Sequence, residues 1–247
     1  MSTLNVVSVM KNEAPYVVEW LEFHRAAGVG HFYLYLNNCT DETELRLAPF
    51  VASGDVTVLH QDGHPCQGPA FADAVAQYAT RSDWLVFLDV DEFLFLPSKA
   101  PLGSFLDGFT AFGGLYVRWY MYGSNGLLAA SPEPVTRRLT RRAATPHTYG
   151  KTLLNTHRLL RGPRGTDDLH FCAGLVDTIV DENQTQLWHA TDHTPSAALI
   201  RINHYGCKSH AEFAAKVAKG RCDRPGGRHL SDLARYDCNE VEDAILA

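Results

Sequence analysis

The sequence predicts an α/β fold in which a mostly parallel sheet is flanked by helices. Three observations carry that reading. Short apolar runs rich in β-branched and aromatic residues recur at residues 4–10, 31–36, 56–60 and 84–90. Stretches of helical length separate them, giving the order β-α-β-α-β-α-β, and such alternation builds parallel strands covered on both faces. With 247 residues, 45% hydrophobic and 11% aromatic, the chain can bury one large core, so a single domain over residues 1–247 is expected, with a soft internal boundary near residue 100.

The first strand, "LNVVSVM", ends at "KNEAP", where Pro15 is placed to open a helix. That helix, "PYVVEWLEFHRAAGV", sets Val18, Leu21 and Phe23 near one face and stops at the glycines of "GVG". "HFYLYL" is the second strand and runs into the loop "NNCTDET". A helix "DETELRLAPFVASG", a strand "VTVLH", a helix "GPAFADAVAQYATRSD" and a strand "WLVFLDV" complete the first half. After Pro97 come a short helix "PLGSFLDGF", a strand "GLYVRWYMYG", a Pro/Arg-rich segment, a basic strand "GKTLLNTHRLLRG" and helices from about Ser209. This second half supplies the far wall of a cleft, since open parallel sheets bind ligands beyond the carboxyl ends of their strands.

A net charge of −6 argues against bulk nucleic-acid binding, which calls for a basic face. The N-terminus lacks a signal-peptide pattern and no 18-residue apolar run occurs, so a cytoplasmic protein without a transmembrane segment is the expectation, with peripheral membrane association left open. The six cysteines form no C-x-x-C pair and read as ordinary reduced thiols.

The stretch "WLVFLDVDEFLFLP" places Asp89, Asp91 and Glu92 where a buried strand should be dry. On an extended strand Asp89 and Asp91 share a face about 7 Å apart and Glu92 points the other way. At an effective dielectric of about 20 the two charges repel by roughly 2 to 2.5 kcal/mol, a sign that a divalent cation reverses. A few carboxylates suit Mg2+ or Mn2+ ions that keep waters and bind mainly through substrate phosphates. Acids in water or paired with arginines are the plain alternative.

The motifs "MKNEAPYVVEWLEFHRAAGV", "YLYLNNCTDET", "WLVFLDVDEFL", "RWYMYGSNG", "RRLTRR…GKTLL" and "INHYGCKSHAEFAAKVAKG" occur in one order from about residue 4 to 220. In that order they resemble glycosyltransferase family 92 and its bacterial relatives in the family 2-like GT-A superfamily. The resemblance implies a GT-A (Rossmann-like) fold with a C-terminal acceptor-side elaboration, residues 1–100 forming the nucleotide-binding half and 101–247 the acceptor side. It also implies a nucleoside-diphosphate sugar donor, a Mn2+ or Mg2+ ion on the D-x-D, and transfer with inversion to a glycan or lipid-linked saccharide. Where relatives often carry an acid, this chain has Thr136.

By the same resemblance, Lys11, Asn12, Glu13, Asn37, Asn38 and Asp41 are the expected nucleoside readers; short amides and acids at strand ends suit a uracil edge and ribose hydroxyls. Helix capping by Thr40 or Asp41 is the alternative. Gln67 opens the helix before the D-x-D strand, where its amide reaches the donor or simply starts the helix. Trp119 and Tyr122 are candidates for the acceptor wall, against ordinary core packing, with Gly123 and Gly126 allowing close backbone approach. Arg137, Arg138, Arg141, Arg142 and Lys151 form the densest basic region, and Arg138 and Lys151 match family positions for a diphosphate.

His189 and His193, at i and i+4, are a weak metal pair without a nearby acid of the H-E-x-x-H type. The inverting base is sought among Asp167, Asp168, Asp177 and Asp181, with Asp168 preferred, against exposed loop acids. "SHAE" is a capping box that starts a helix at His210. The resemblance points to His204 as the third metal ligand beside Asp89 and Asp91, and places Lys208, and secondarily Lys216, on the diphosphate. A buried structural histidine is the alternative. Two other functions compete with a hexosyltransferase: a non-catalytic sugar-nucleotide or glycan-binding domain, and a metal-dependent hydrolase.

Overall fold

The computed structural model describes residues 1–160, 170–222 and 226–247. The first half alternates as expected: β1 (Leu4–Met10), α1 (Val17–Ala26), β2 (His31–Leu36), α2 (Thr43–Ala52), β3 (Val56–His60), α3 (Gln67–Tyr78) and β4 (Trp84–Phe87). Next come β5 (Glu92–Phe95), α4 (Leu102–Leu106), β6 (Gly114–Met121), α5 (Val135–Arg138), β7 (Arg141–Arg142) and β8 (Gly150–Asn155). The chain ends with β9 (Ile179–Val180), β10 (Gln186–Leu187), β11 (Arg201–His204), α6 (His210–Lys219), α7 (Leu233–Tyr236) and β12 (Val241–Glu242).

The main sheet runs β3-β2-β1-β4-β8-β6-β9-β10. β3, β2, β1 and β4 are parallel, and β8 enters antiparallel to both β4 and β6. β1 is buried along its whole length, which is why it is apolar but for Asn5 and Ser8. One side packs a core that includes Trp20 and Leu21 of α1, and the other packs Ala70, Phe71 and Ala74 of α3 against Phe87 and Tyr116. The fold is therefore α/β, with a mixed, mostly parallel sheet between helical layers. Among the described residues no helix is long and apolar enough to cross a membrane.

Three local expectations change. Helix α1 starts at Val17 rather than Pro15 and buries Val17, Trp20, Leu21 and His24, leaving Val18 and Phe23 half-buried; the stripe at i, i+3, i+4 and i+7 is the one that meets the sheet. His24 fits there because its Nδ1 donates to Trp20 O (2.8 Å) and its Nε2 accepts from Leu94 N–H (3.1 Å). Burial holds its pKa down at about 4, so it stays neutral.

The strand expected over 84–90 ends at Phe87. Glu92 N–H then donates to Asp89 O (3.0 Å), closing a turn, and β5 leaves to pair with β11. Asp89 and Asp91 thus sit on a bend and not on one strand face, because the chain changes sheets there. The basic strand expected from residue 150 stops at Asn155. Gly150 opens it where a Cβ would fall 1.9 Å from Val117 O, so only glycine lets β8 approach β6 and carry Lys151 under the bend.

Helix α6 begins at His210 as the capping box requires, with Ser209 Oγ accepting from Glu212 N–H (3.3 Å) and Glu212 Oε2 from Ser209 N–H (3.0 Å).

Candidate active site

The carboxyl ends of β1 and β4, the start of α3, and a wall from β6, β11 and α6 enclose a cavity of about 580 Å3. Lys11, Glu13, Gln67, Asp89 and Asp91 face it from the first half, and Trp119, His204 and Lys216 from the second.

The bend carrying the two aspartates is held by cations. Asp89 Oδ2 accepts from Lys151 Nζ (3.1 Å), its Oδ1 from Gln67 Nε2 (3.4 Å), and its backbone N–H donates to Glu92 Oε2 (2.9 Å). Lys151 is 1% exposed and also 3.5 Å from Glu92. Burial opposes its charge, but Asp89 and Glu92 outweigh that and hold the ammonium's pKa above its usual range. Glu92 is wholly buried, and desolvation pushes its carboxyl well above the ordinary range. For Asp91 burial also works against ionisation, yet the ammonium of Lys216, with that of Lys208 behind it, holds it well below its usual value.

Asp91 Oδ1 lies 3.5 Å from His204 Nε2, too long for a good hydrogen bond. Its Oδ2 accepts from Lys216 Nζ, which also donates to Gly206 O (2.9 Å). Burial lowers the His204 pKa, so the ring is neutral and able to ligate. Two cis ligands of an octahedral ion with bonds of about 2.1 Å lie about 3.0 Å apart, so a small side-chain adjustment would let this pair share one divalent cation. Among the described residues no group of three or more His, Cys, Asp and Glu side chains converges to hold an ion. The pair therefore fits an ion that takes most of its shell from phosphate and water.

Several expected site residues lie elsewhere. Asn12, at φ 53°, accepts from Thr40 N–H through Oδ1 (2.7 Å) and donates through Nδ2 to Thr40 Oγ1 (3.1 Å). Asp41 accepts from Thr43 N–H (3.0 Å) and Ala14 N–H (3.1 Å). Both side chains join two loops and neither lines the cavity; nor does the exposed Asn38. Asn37 is buried, donating to Gln61 O (2.8 Å). Asp41 is thus taken up just before α2, where it precedes the N-cap residue Glu42 and ties Thr43 N–H to the loop at Ala14.

Arg138 is not at the cavity. Its guanidinium forks onto Glu212 (2.9 and 2.6 Å), whose buried carboxylate also serves the capping box and accepts from Tyr16 OH (2.9 Å). Lys151 lies beneath the bend and not on the cavity wall. Lys208 is buried with its ammonium over the Tyr16 ring (4.3 Å) and 3.9 Å from Asp91, while the half-buried Lys216 stands on the cavity wall.

Tyr122 is core and not acceptor wall: its hydroxyl donates to Asp243 O (3.2 Å) and accepts from Asn203 Nδ2 (3.1 Å). Gly123 makes its close approach to Cys238 and Asn239, not to a ligand. Arg141 and Arg142 pair with Glu242 (3.5 Å) and Asp243 (2.6 Å) of the C-terminal segment. Asp177 pairs with Arg158 (2.6 Å) and Asp181 caps a turn through Asn183 N–H (2.9 Å), both away from the cavity. His189 and His193 lie in a turn and not on a helix. Asp167 and Asp168 lie outside the described residues.

Sequence reasoning did not single out Lys219, which pairs with Glu13, nor His147, Arg228 and Arg235, which line the second wall. His147 is set by its neighbours: its N–H donates to Trp119 O (2.7 Å), and Trp119 N–H donates to Tyr149 O (3.2 Å).

A glycosyltransferase family 92 protein of Arabidopsis thaliana is 28% identical over 161 residues, spanning 59% of this chain and 28% of that relative. One from Oryza sativa subsp. japonica is 27% identical over 148 residues, spanning 58% and 25%. The chain thus matches little more than a quarter of the length of these curated relatives. Among solved structures, S. aureus TarS 1–349 superimposes with a TM-score of 0.49 at 14% identity, over 74% of this chain and 59% of that one. Glucosyl-3-phosphoglycerate synthase from Mycobacterium tuberculosis, solved with Mn2+, UDP-glucose and phosphoglyceric acid, gives 0.33 at 22% identity, over 48% and 44%. Residues 7–156, more than half of the sequence, match glycosyltransferase family 92, and the chain belongs to that family.

Proposed function

We propose that the chain moves a hexose from a nucleoside-diphosphate sugar, a UDP-sugar in particular, to a glycan or lipid-linked saccharide hydroxyl, with inversion and with Mn2+ or Mg2+. One observation carries this most: the D-x-D bend opens onto the cavity with Asp91 Oδ1 facing His204 Nε2 at 3.5 Å. Asp91 and His204 would hold the ion, which when bound offsets charge on a diphosphate. Lys11, Glu13 and Gln67 at the strand ends would receive the nucleoside, in the place where this class of sheet takes nucleotides. Lys216 would face the diphosphate and stabilise the charge that grows as the sugar departs. Trp119 presents an apolar plane to a sugar ring.

Among the described residues, the three carboxylates on the cavity are each committed to a lysine: Glu13 to Lys219, Asp89 to Lys151 and Asp91 to Lys216. We therefore keep Asp168 as the proposed base that takes the acceptor's proton. Pure protein incubated with a panel of nucleotide sugars and Mn2+ tests the reading. Release of UDP from one UDP-sugar, lost in Asp91→Asn, is expected. Binding of UDP with no turnover of any donor, with or without saccharides, would instead mark a non-catalytic sugar-nucleotide domain.

A further inference from the structure

Resting on the transferase reading above, we propose that the acceptor carries an oxyanion, phosphate or carboxylate, which Arg228, Arg235 and His147 read on the second wall of the cavity. All three side chains line it. Arg228 and Arg235 have no ion-pair partner within 4.0 Å among the described residues, whereas the acids facing them across the cavity, Glu13, Asp89 and Asp91, are each paired with a lysine; Lys11, at the strand ends, likewise has no ion-pair partner among the described residues. In a chain of net charge −6, two unmatched guanidiniums on a concave surface are a local excess of positive charge.

The histidine fits the same chemistry. His147 Nδ1 accepts a hydrogen bond from Tyr149 N–H (3.0 Å), so the neutral ring carries its proton on Nε2 and offers the cavity a donor, not a lone pair. These three groups thus present donors alone, two arginine forks and one imidazole N–H, beside the hydroxyl residues Thr145, Tyr149 and Tyr236 that also line the cavity. A neutral sugar hydroxyl is served by mixed donors and acceptors, whereas an oxyanion takes donors alone, and a guanidinium fork matches it in the plane.

The loop that bears His147 is also built in advance. Arg118, 2% exposed, donates to Thr148 O and Ala190 O, and to Asp192 O at 2.9 Å, clamping the loop that carries His147 to β6. Preorganised donors lose less on binding than mobile ones.

Thermal unfolding of the full chain with UDP and Mn2+ tests this, using glucose, glucuronate and glucose 6-phosphate as probes. At least one anion should protect at a concentration about tenfold below that of glucose, the gain of one charge-assisted fork. The double substitution Arg228→Gln, Arg235→Gln should erase that advantage and leave the UDP-induced shift intact. An advantage for glucose 6-phosphate alone identifies a phosphorylated acceptor, and for glucuronate alone a uronic acid. Equal protection by all three sugars, or an advantage that survives the double substitution, overturns the proposal. So does a UDP shift that falls in the double variant, because the arginines then hold the donor's diphosphate. If UDP gives no shift even in the wild type, the donor reading fails separately, and the same comparison without UDP still decides the acceptor class.

Discussion

Lys151 Nζ stands 3.1 Å from Asp89 Oδ2 and 3.5 Å from Glu92, with the lysine 1% exposed and the glutamate fully buried. One ammonium therefore serves two carboxylates beneath the D-x-D bend. Removing it leaves buried charge without compensation, so Lys151→Met should cost roughly 3–5 kcal/mol. Adding Asp89→Asn should recover part of that loss, since the stranded charge leaves with it. Urea denaturation of the two single variants and the double checks this; strictly additive costs would contradict the shared pairing.

Arg138 and Glu212 make the acid sensitivity of the fold predictable. Burial alone would raise the Glu212 carboxyl, but hydrogen bonds from Arg138, Ser209 and Tyr16 lower it from 4.5 to about 2. A depressed carboxylate stabilises the fold at pH above its unfolded value and loses that contribution as pH falls through its folded value. The contribution, on the order of 3 kcal/mol, should be complete above about pH 5 and decline between about pH 4.5 and 2. Glu212→Gln should be clearly less stable than the wild type at pH 7, and the gap should close towards pH 2. Urea midpoints across that range provide the check; a constant gap would rule out the linkage.

The first half was legible in the sequence because its strands are short, buried on both faces and separated by helices of ordinary length. The bend at Asp89 was not, because "WLVFLDVDEFLFLP" reads as one apolar run and only pairing of β5 with β11 breaks it in two. Long-range partners also decided the site residues. Arg138 reads as a phosphate ligand until Glu212, 74 positions on, claims it. Lys208 and Lys216 both read as diphosphate cations, and the positive φ of Lys208 (55°) with the Tyr16 ring beneath it separates them. Arg228 and Arg235 carry no motif, so nothing local marks them.

On the proposed transferase reading, metal dependence should rest on Asp91 and His204. Asp91→Asn removes the ligand charge and should abolish the Mn2+ dependence of UDP-induced thermal protection. His204→Ala keeps the carboxylate and should raise the Mn2+ concentration at half-maximal protection by about tenfold or more, at least the scale on which losing a residue that only supports a ligand weakens metal binding. Titrating Mn2+ against the UDP shift in each variant measures both effects. A His204→Ala protein with the wild-type titration curve would remove His204 from the metal assignment.

The two lysines near Asp91 should fail in different ways. Lys216 Nζ donates to Asp91 Oδ2 and to Gly206 O at 2.9 Å and stands on the cavity wall, so it can follow charge onto a departing diphosphate. Losing one such donor from a shielded site commonly costs about a hundredfold in kcat, and Lys216→Ala should fall in that range with little loss of stability. Lys208 is 5% exposed, 3.9 Å from Asp91, and packed against Tyr16. Lys208→Ala should lower stability by about 1–2 kcal/mol through the lost cation–π contact and packing, while kcat changes by no more than about threefold. Lys216→Arg should recover part of the Lys216→Ala loss, because the charge returns in a longer and flatter form. Turnover at saturating donor and Mn2+, set beside thermal midpoints of the same proteins, distinguishes the roles. If Lys208→Ala slows turnover as much as Lys216→Ala at an unchanged midpoint, the buried lysine, and not the one on the wall, carries the leaving-group charge.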